Sequence, residues 1–186
     1  MNYHNITYPD QNNGDGLRVV LWLSGCSHHC YNCQNPQTWD VNSGIPFDES
    51  AKEELFRELD KDYISGLTLS GGDPLHEANL DDVLELVNEI RLLFPNKSIW
   101  IYSGYMFSEL FMYDENIKRF PNYLRKDVME IYQKRQQIIS KCTVMVDGKY
   151  IDSQRDISLR WRGSKNQNVI NIQQSLQNGE IVLWTE

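Results

Sequence analysis

The stretch Leu17-Arg-Val-Val-Leu-Trp-Leu23, followed at once by Ser24-Gly25-Cys26-Ser-His-His-Cys30-Tyr-Asn-Cys33, carries the reading of the fold. Its first half is an apolar run rich in β-branched and aromatic side chains, the composition of a buried strand. Its second half places three of the chain's four cysteines within eight residues. Thiols gathered in one tight loop after a strand point to a metal centre over core packing.

Downstream, the same rhythm repeats. Asp48 or Ser50 can cap a helix whose apolar Ala51, Leu55, Phe56 and Leu59 share one face. A second strand is predicted over Ile64 to Leu69, ending at Ser70-Gly71-Gly72-Asp73-Pro74. The next helix repeats Leu80, Val83, Leu84, Val87, Ile90 and Phe94 at three and four, and Pro95 stops it. A third strand runs Ser98 to Tyr102 into Ser103-Gly104, and a fourth runs Cys142 to Val146 into Asp147-Gly148. Between Tyr105 and Lys141 the apolar spacing predicts a helix only near the end, through Leu124, Val128, Ile131, Ile138 and Ile139. Asn168 to Ile172 and Glu180 to Trp184 read as two short strands around a turn at Gln177-Asn178-Gly179.

Strand, glycine-bearing loop, helix, strand is the order of a parallel sheet with right-handed crossovers, and such sheets bind ligands at the carboxyl ends of their strands. The first four strands deliver to that end the thiols, Gly71-Gly72-Asp73-Pro74, Ser103-Gly104 and Asp147-Gly148. The predicted class is therefore α/β. With 186 residues and no linker or repeat, a single domain over 1–186 is expected.

Composition narrows the function. Eighteen Lys and Arg against 26 Asp and Glu give a net charge of −8, spread along the chain. That argues against a nucleic-acid backbone as the main partner. No basic segment precedes an apolar one at the N-terminus and no apolar run reaches membrane-spanning length, so a cytoplasmic protein without a membrane partner is expected. Four cysteines are too few for a disulfide scaffold, and a reducing compartment keeps thiolates available as ligands.

The spacing C-x3-C-x2-C supplies three ligands from one loop, whereas ferredoxin-type clusters usually find a fourth cysteine. The remaining Cys142 has apolar neighbours and reads as a small buried residue. An iron left without a protein ligand is an open coordination position. The competing reading is a zinc site completed by His28, His29 or His4, which three closely packed thiols fit poorly. His28 and His29 are expected to be solvent-facing loop residues or partner contacts.

On these motifs the chain resembles the radical S-adenosylmethionine (SAM) enzymes, whose signature is C-x3-C-x2-C followed after the next strand by a Gly-Gly-Glu-Pro type motif, here Gly71-Gly72-Asp73-Pro74. It is most similar to a short branch of that superfamily, the activating proteins of anaerobic ribonucleoside-triphosphate reductase. The carriers are Asn13-Gly14-Asp15-Gly16, Ser24-Gly25-Cys26, Cys33-Gln34-Asn35 with Thr38-Trp39, Leu69 to Leu75, Ile99-Trp100 through Tyr105, Val146-Asp147-Gly148, and Trp161-Arg162-Gly163-Ser164 with Asn166-Gln167. Asp15 stands where the branch often has Pro, Gln34 where it often has Tyr, and 106–141 is longer than usual.

The resemblance implies a partial (β/α) barrel with a mainly parallel sheet. It implies one 4Fe-4S cluster on Cys26, Cys30 and Cys33, with SAM on the open iron and Asn32, Cys33, Gln34, Gly71, Gly72, Asp73 and Ser103 around it. It further implies an oxidoreductase: a reduced flavodoxin or similar donor feeds the cluster, SAM is cleaved reductively, and a glycyl radical is left on the reductase. A homodimer is compatible with it. Tyr31 would lie near the cluster, and Arg162, Asn166 and Gln167 match a motif without a derived role. Two alternatives stay open: an activase of a formate-lyase-like enzyme, and a non-catalytic metal-binding module.

Overall fold

The run after Leu17 forms an interior strand of a seven-stranded sheet. The structure, a computed structural model, describes residues 1–111 and 122–185, with side chains described for all of these except 122–125. In chain order the elements are β1 (Asn2–Asp10), β2 (Arg18–Leu23), β3 (Ile45–Pro46), α1 (Glu49–Leu59), β4 (Gly66–Gly71), α2 (Leu80–Leu93), β5 (Ser98–Tyr102), α3 (Phe107–Phe111), α4 (Asn122–Lys141), β6 (Val144–Asp147), β7 (Asn168–Asn171) and α5 (Ile172–Asn178).

The sheet order is β3-β1-β2-β4-β5-β6-β7. The junctions β2/β4, β4/β5 and β5/β6 are parallel; β1/β2, β1/β3 and β6/β7 are antiparallel. The expected partial (β/α) barrel with a mainly parallel sheet is met in part, since three of the six junctions are parallel. The class is mixed α/β with a parallel centre, and the sheet is open, with β3 and β7 at its two edges.

The two faces of the sheet differ, because side chains alternate along each strand. Val19, Leu21, Leu67, Leu69, Ile99, Ile101 and Met145 point to the face covered by helices and join one large core with Leu55, Val83, Val87, Ile90, Ile138 and Ile139. Asp48 caps α1 by accepting from Ala51 N, and Ala51, Leu55 and Leu59 bury as predicted. In α2 the buried face is Leu80, Val83, Leu86, Val87 and Ile90. Each such side chain contributes on the order of 1.5–3 kcal/mol when buried.

Among the described residues, no helix of the parallel crossovers lies on the opposite face. Its side chains are larger and more polar: Arg18, Trp22, Thr68, Ser70, Trp100 and Tyr102. Trp100 packs edge-on against Trp161 at 4.9 Å and Trp184 at 5.9 Å between ring centroids, forming a second, smaller core with Val144, Val146 and Val169. Arg18 is fully buried there. It donates to Thr68 Oγ1 at 2.6 Å, Ser98 Oγ at 2.9 Å and the carbonyls of Leu67, Ser98 and Asp15. Burial pulls this guanidinium down to about 10. Thr68 Oγ1 in turn donates to Asn13 O, so the turn before β2 is pinned against this face.

Three sequence expectations shift. β1 was not anticipated as a strand. The fourth strand starts at Val144, with Cys142 just before it. Glu180 to Trp184 forms only an isolated bridge, Leu183 with Ile170, because the chain from Ile172 turns into α5, capped by Asn171 and closed by the left-handed Gly179.

Candidate active site

The cysteine loop is tied at its base before it becomes irregular. Gly25 N donates to Thr38 O at 2.7 Å and Cys26 N to Trp39 O at 3.0 Å. Between these ties His29 and Asn32 take the left-handed conformation, with φ of 47° and 55°. Such a chain path turns tightly enough to bring Cys26, Cys30 and Cys33 to one wall of a cavity.

Backbone N–H groups serve the sulfurs. Asn35 N donates to Cys33 Sγ at 3.4 Å, the Cys26 sulfur faces the amides of His28 and His29, and the Cys30 sulfur faces that of Tyr150. Burial nevertheless pushes the Cys26 thiol up to about 11 and raises that of Cys30. Without a metal these thiols hold their protons at neutral pH, and a bound cation is what converts them to thiolates.

The glycine loop is fastened to the same segment. Gly72 N donates to Leu23 O and Asp73 N to Gly25 O, both at 2.7 Å. A β-carbon at Gly71 would lie 2.7 Å from Leu23 N, and one at Gly72 would lie 2.5 Å from Gly25 O. The two glycines are thus required by the approach of one loop's backbone to the other's.

Asp73 is 2% exposed, and its carboxylate accepts from four residues. Oδ1 takes Leu75 N at 2.9 Å and Ser103 Oγ at 3.0 Å; Oδ2 takes Gly104 N at 3.0 Å and meets His28 Nε2 at 2.7 Å. The charge of this carboxylate also reaches the Cys26 sulfur and adds to the rise of its thiol. His28 therefore differs from its expectation: its side chain is 8% exposed and lies inside the site. His29 is exposed and packs edge-on against Trp39, while Tyr31 is 77% exposed.

The cavity has a volume of about 460 Å³, within the range of small-molecule sites. Every residue predicted for the site lines it except Asn32, which is exposed beside the wall. The far wall is the segment after β6, through Lys149, Tyr150, Leu159, Trp161 and Arg162. Gln167 shapes that wall: its Oε1 accepts from Gly163 N and Ser164 N, and its Nε2 donates to Gly148 O at 2.9 Å. Arg162 donates to Gln167 O.

Two buried polar groups lining the cavity, Trp39 Nε1 and the Tyr102 hydroxyl, have no hydrogen-bond partner among the described residues. Burial raises the Tyr102 hydroxyl well above the ordinary phenol range. Buried donors without acceptors fit a cavity that receives a polar ligand. Among the described residues, no three His, Cys, Asp or Glu side chains converge as ligands of a single ion. Three thiols lining one cavity are the donor set of a cluster that takes three cysteine ligands. His4 Nε2 is bonded to Ser43 Oγ and His28 Nε2 to Asp73 Oδ2.

Residues 12–170 match a family described as a 4Fe-4S single cluster domain. The anaerobic ribonucleoside-triphosphate reductase-activating protein of Escherichia coli (strain K12) is 39% identical over 169 residues, covering 90% of this chain and 96% of the relative. Its counterpart in Vibrio cholerae is 38% identical over the same shares of both chains. That of Enterobacteria phage T4 is 36% identical over 167 residues, covering 90% and 92%. The chain belongs to the anaerobic ribonucleoside-triphosphate reductase-activating protein family.

The family match spans the cysteine loop, the glycine loop, the β5 terminus and Gln167. Cys142 also lies within it but stands apart from the site. It is fully buried, donates to Ile138 O at 3.3 Å, and has its thiol pushed up to about 12 by burial. Tyr102 and the Lys149–Tyr150 pair beside Cys30 were not expected at the site, and His28 was expected at the surface. Only Tyr102 carried a usable signal, since it lies two residues after Trp100 on an alternating strand.

Proposed function

We propose that this protein activates an anaerobic ribonucleoside-triphosphate reductase by generating a glycyl radical on it, as a radical SAM oxidoreductase. The observation that carries the reading is the assembly of three thiols, the Gly71–Asp73 loop and the Ser103–Gly104 loop around one cavity. Cys26, Cys30 and Cys33 would hold one 4Fe-4S cluster, and Gln34, Gly71, Gly72, Asp73 and Ser103, with Asn32 at the rim, would lie against SAM. When bound, these two groups supply one-electron reductive cleavage of the sulfonium and hence a radical able to abstract hydrogen.

The chain's own work is to place and seal. Asp73 fixes three loops to one another through its carboxylate, which holds the reacting groups in register. Trp39 Nε1 and the Tyr102 hydroxyl offer hydrogen bonds to a polar ligand. Trp22, Trp161 and Leu159 wall the cavity with apolar surface, which limits water at the reacting centre.

In this reading 1–186 is one domain, an open portion of a (β/α) barrel whose cavity-bearing face receives the reductase's glycine-bearing loop. A reduced flavodoxin or similar protein is the electron donor, and the protein works in the cytoplasm, alone or as a homodimer. Among the described residues no helix is long and apolar enough to cross a membrane.

The test begins with anaerobic reconstitution by iron and sulfide. SAM and a strong reductant should then yield 5′-deoxyadenosine, and addition of the anaerobic reductase should yield a glycyl radical signal. A fully loaded protein that forms no 5′-deoxyadenosine would overturn the proposal.

A further inference from the structure

One residue between the first two cysteines, His28, has a side chain only 8% exposed. The His28 ring sits in a slot made by other loops. Its Nε2 lies 2.7 Å from Asp73 Oδ2, its edge meets the Tyr105 ring at 4.7 Å between centroids, and its face lies over Gly104. A β-carbon at Gly104 would overlap the imidazole, so the glycine is what makes the slot. Beneath it Tyr105 is itself held: the Arg135 guanidinium lies 4.0 Å from its ring centroid, donates to its hydroxyl at 2.8 Å and also donates to Leu75 O. The cysteine loop is thus plugged into the glycine loop, the β5 terminus and α4 through one ring.

The Asp73 carboxylate at the bottom of the slot is a buried negative charge close to Cys26. A donor on Oδ2 draws that charge away from the sulfur side, and without it the charge bears more strongly on whatever the sulfur ligates. An added electron is disfavoured by an uncompensated anion nearby. We infer that His28 is a positioning residue: seated on Gly104 and bonded to Asp73, it fixes the cysteine loop against the SAM-facing loops and keeps the Asp73 charge from bearing on the cluster. This rests on the cluster and SAM assignment proposed above.

Two substitutions approach the slot from opposite sides. His28→Phe keeps the ring and removes the hydrogen bond, whereas His28→Gln keeps a donor near the position of Nε2. Gly104→Ala leaves His28 intact and expels its ring. The readouts are hydrogen exchange of residues 26–33 in the apoprotein, and the reduction potential and SAM affinity of the reconstituted protein. His28→Phe and Gly104→Ala should both speed exchange in the loop, move the potential to more negative values and weaken SAM binding by about tenfold or more. His28→Gln should restore the potential and stay within about threefold of wild type in SAM affinity. If His28→Phe loads no cluster, Gly104→Ala and the apoprotein exchange still decide the matter. Wild-type exchange, potential and SAM affinity in both His28→Phe and Gly104→Ala would overturn the inference. A wild-type protein that loads no cluster would overturn the parent reading instead.

Discussion

Gly72 faces Gly25 so closely that a β-carbon on Gly72 would lie 2.5 Å from the Gly25 carbonyl oxygen. Both partners are backbone, so no side chain can rotate away. Gly72→Ala should therefore destabilise the apoprotein by about 2 kcal/mol or more, read by urea unfolding. Because the contact joins the two loops of the site, cluster loading should fall with it. An unchanged midpoint would show that the loops have room to part.

The thiols divide three to one. Cys30→Ala should abolish iron retention after reconstitution and, with it, SAM cleavage. Cys142→Ala should keep both, at a loss of about 1 kcal/mol in stability for the small cavity left behind. Iron and sulfide analysis of the two variants separates the assignments, and iron lost from the Cys142 variant would reinstate a fourth ligand.

Cys142 also makes stability depend on alkaline pH. Its thiol is raised to about 12 in the fold, while in the unfolded chain it ionises near its ordinary value of about 8.5. The unfolded state therefore loses its proton first as pH rises. The thiol's full contribution is present below about pH 8.5 and is lost progressively up to about pH 12. Unfolding free energies of wild-type and Cys142→Ala apoprotein should differ by a constant at neutral pH. The wild-type advantage should shrink above pH 9.

Arg18 satisfies the carbonyls of Asp15, Leu67 and Ser98 from a fully buried position. Arg18→Met fills similar volume and leaves those oxygens without their donor. A loss of about 3 kcal/mol is expected, with release of the Asn13 turn that Thr68 and Arg18 hold together. Thermal unfolding within a degree or two of wild type would contradict this account.

Gln167 uses both ends of its amide to close the far wall. Gln167→Glu keeps the acceptor for Gly163 and Ser164 but sets a carboxylate oxygen against Gly148 O. Limited proteolysis should then cut within residues 149–167 several-fold faster, with a stability loss of about 1–2 kcal/mol. Equal cutting rates would assign the wall's shape to other contacts.

What was legible in the sequence is what local chemistry determines. The parallel strands, the thiol loop and the glycine loop announce themselves because each depends on neighbouring residues. β1 stayed hidden for a physical reason: a register shift between Tyr3 and Asn5 breaks its alternation, so its buried residues, Tyr3 and Ile6, fall three apart. The tail helix was missed because it is only seven residues long and buries little beyond Ile172 and Ser175. His28 read as a solvent-facing loop residue or partner contact because its partners, Asp73 and Gly104, are 45 and 76 residues away in sequence. Only folding brings them to it. The antiparallel edges were likewise unreadable, since strand periodicity does not fix the direction in which a neighbouring strand runs.

The described helices back one face of the sheet, while the cavity is walled on the other by loops and three tryptophans, Trp22, Trp39 and Trp161. Most of the large aliphatic core is therefore insulated from the residues that choose a ligand. Substitutions can accumulate along the 149–167 wall, redrawing what the protein accepts, while the framework beneath keeps its shape. A lineage built this way can change its clientele without first having to survive unfolding.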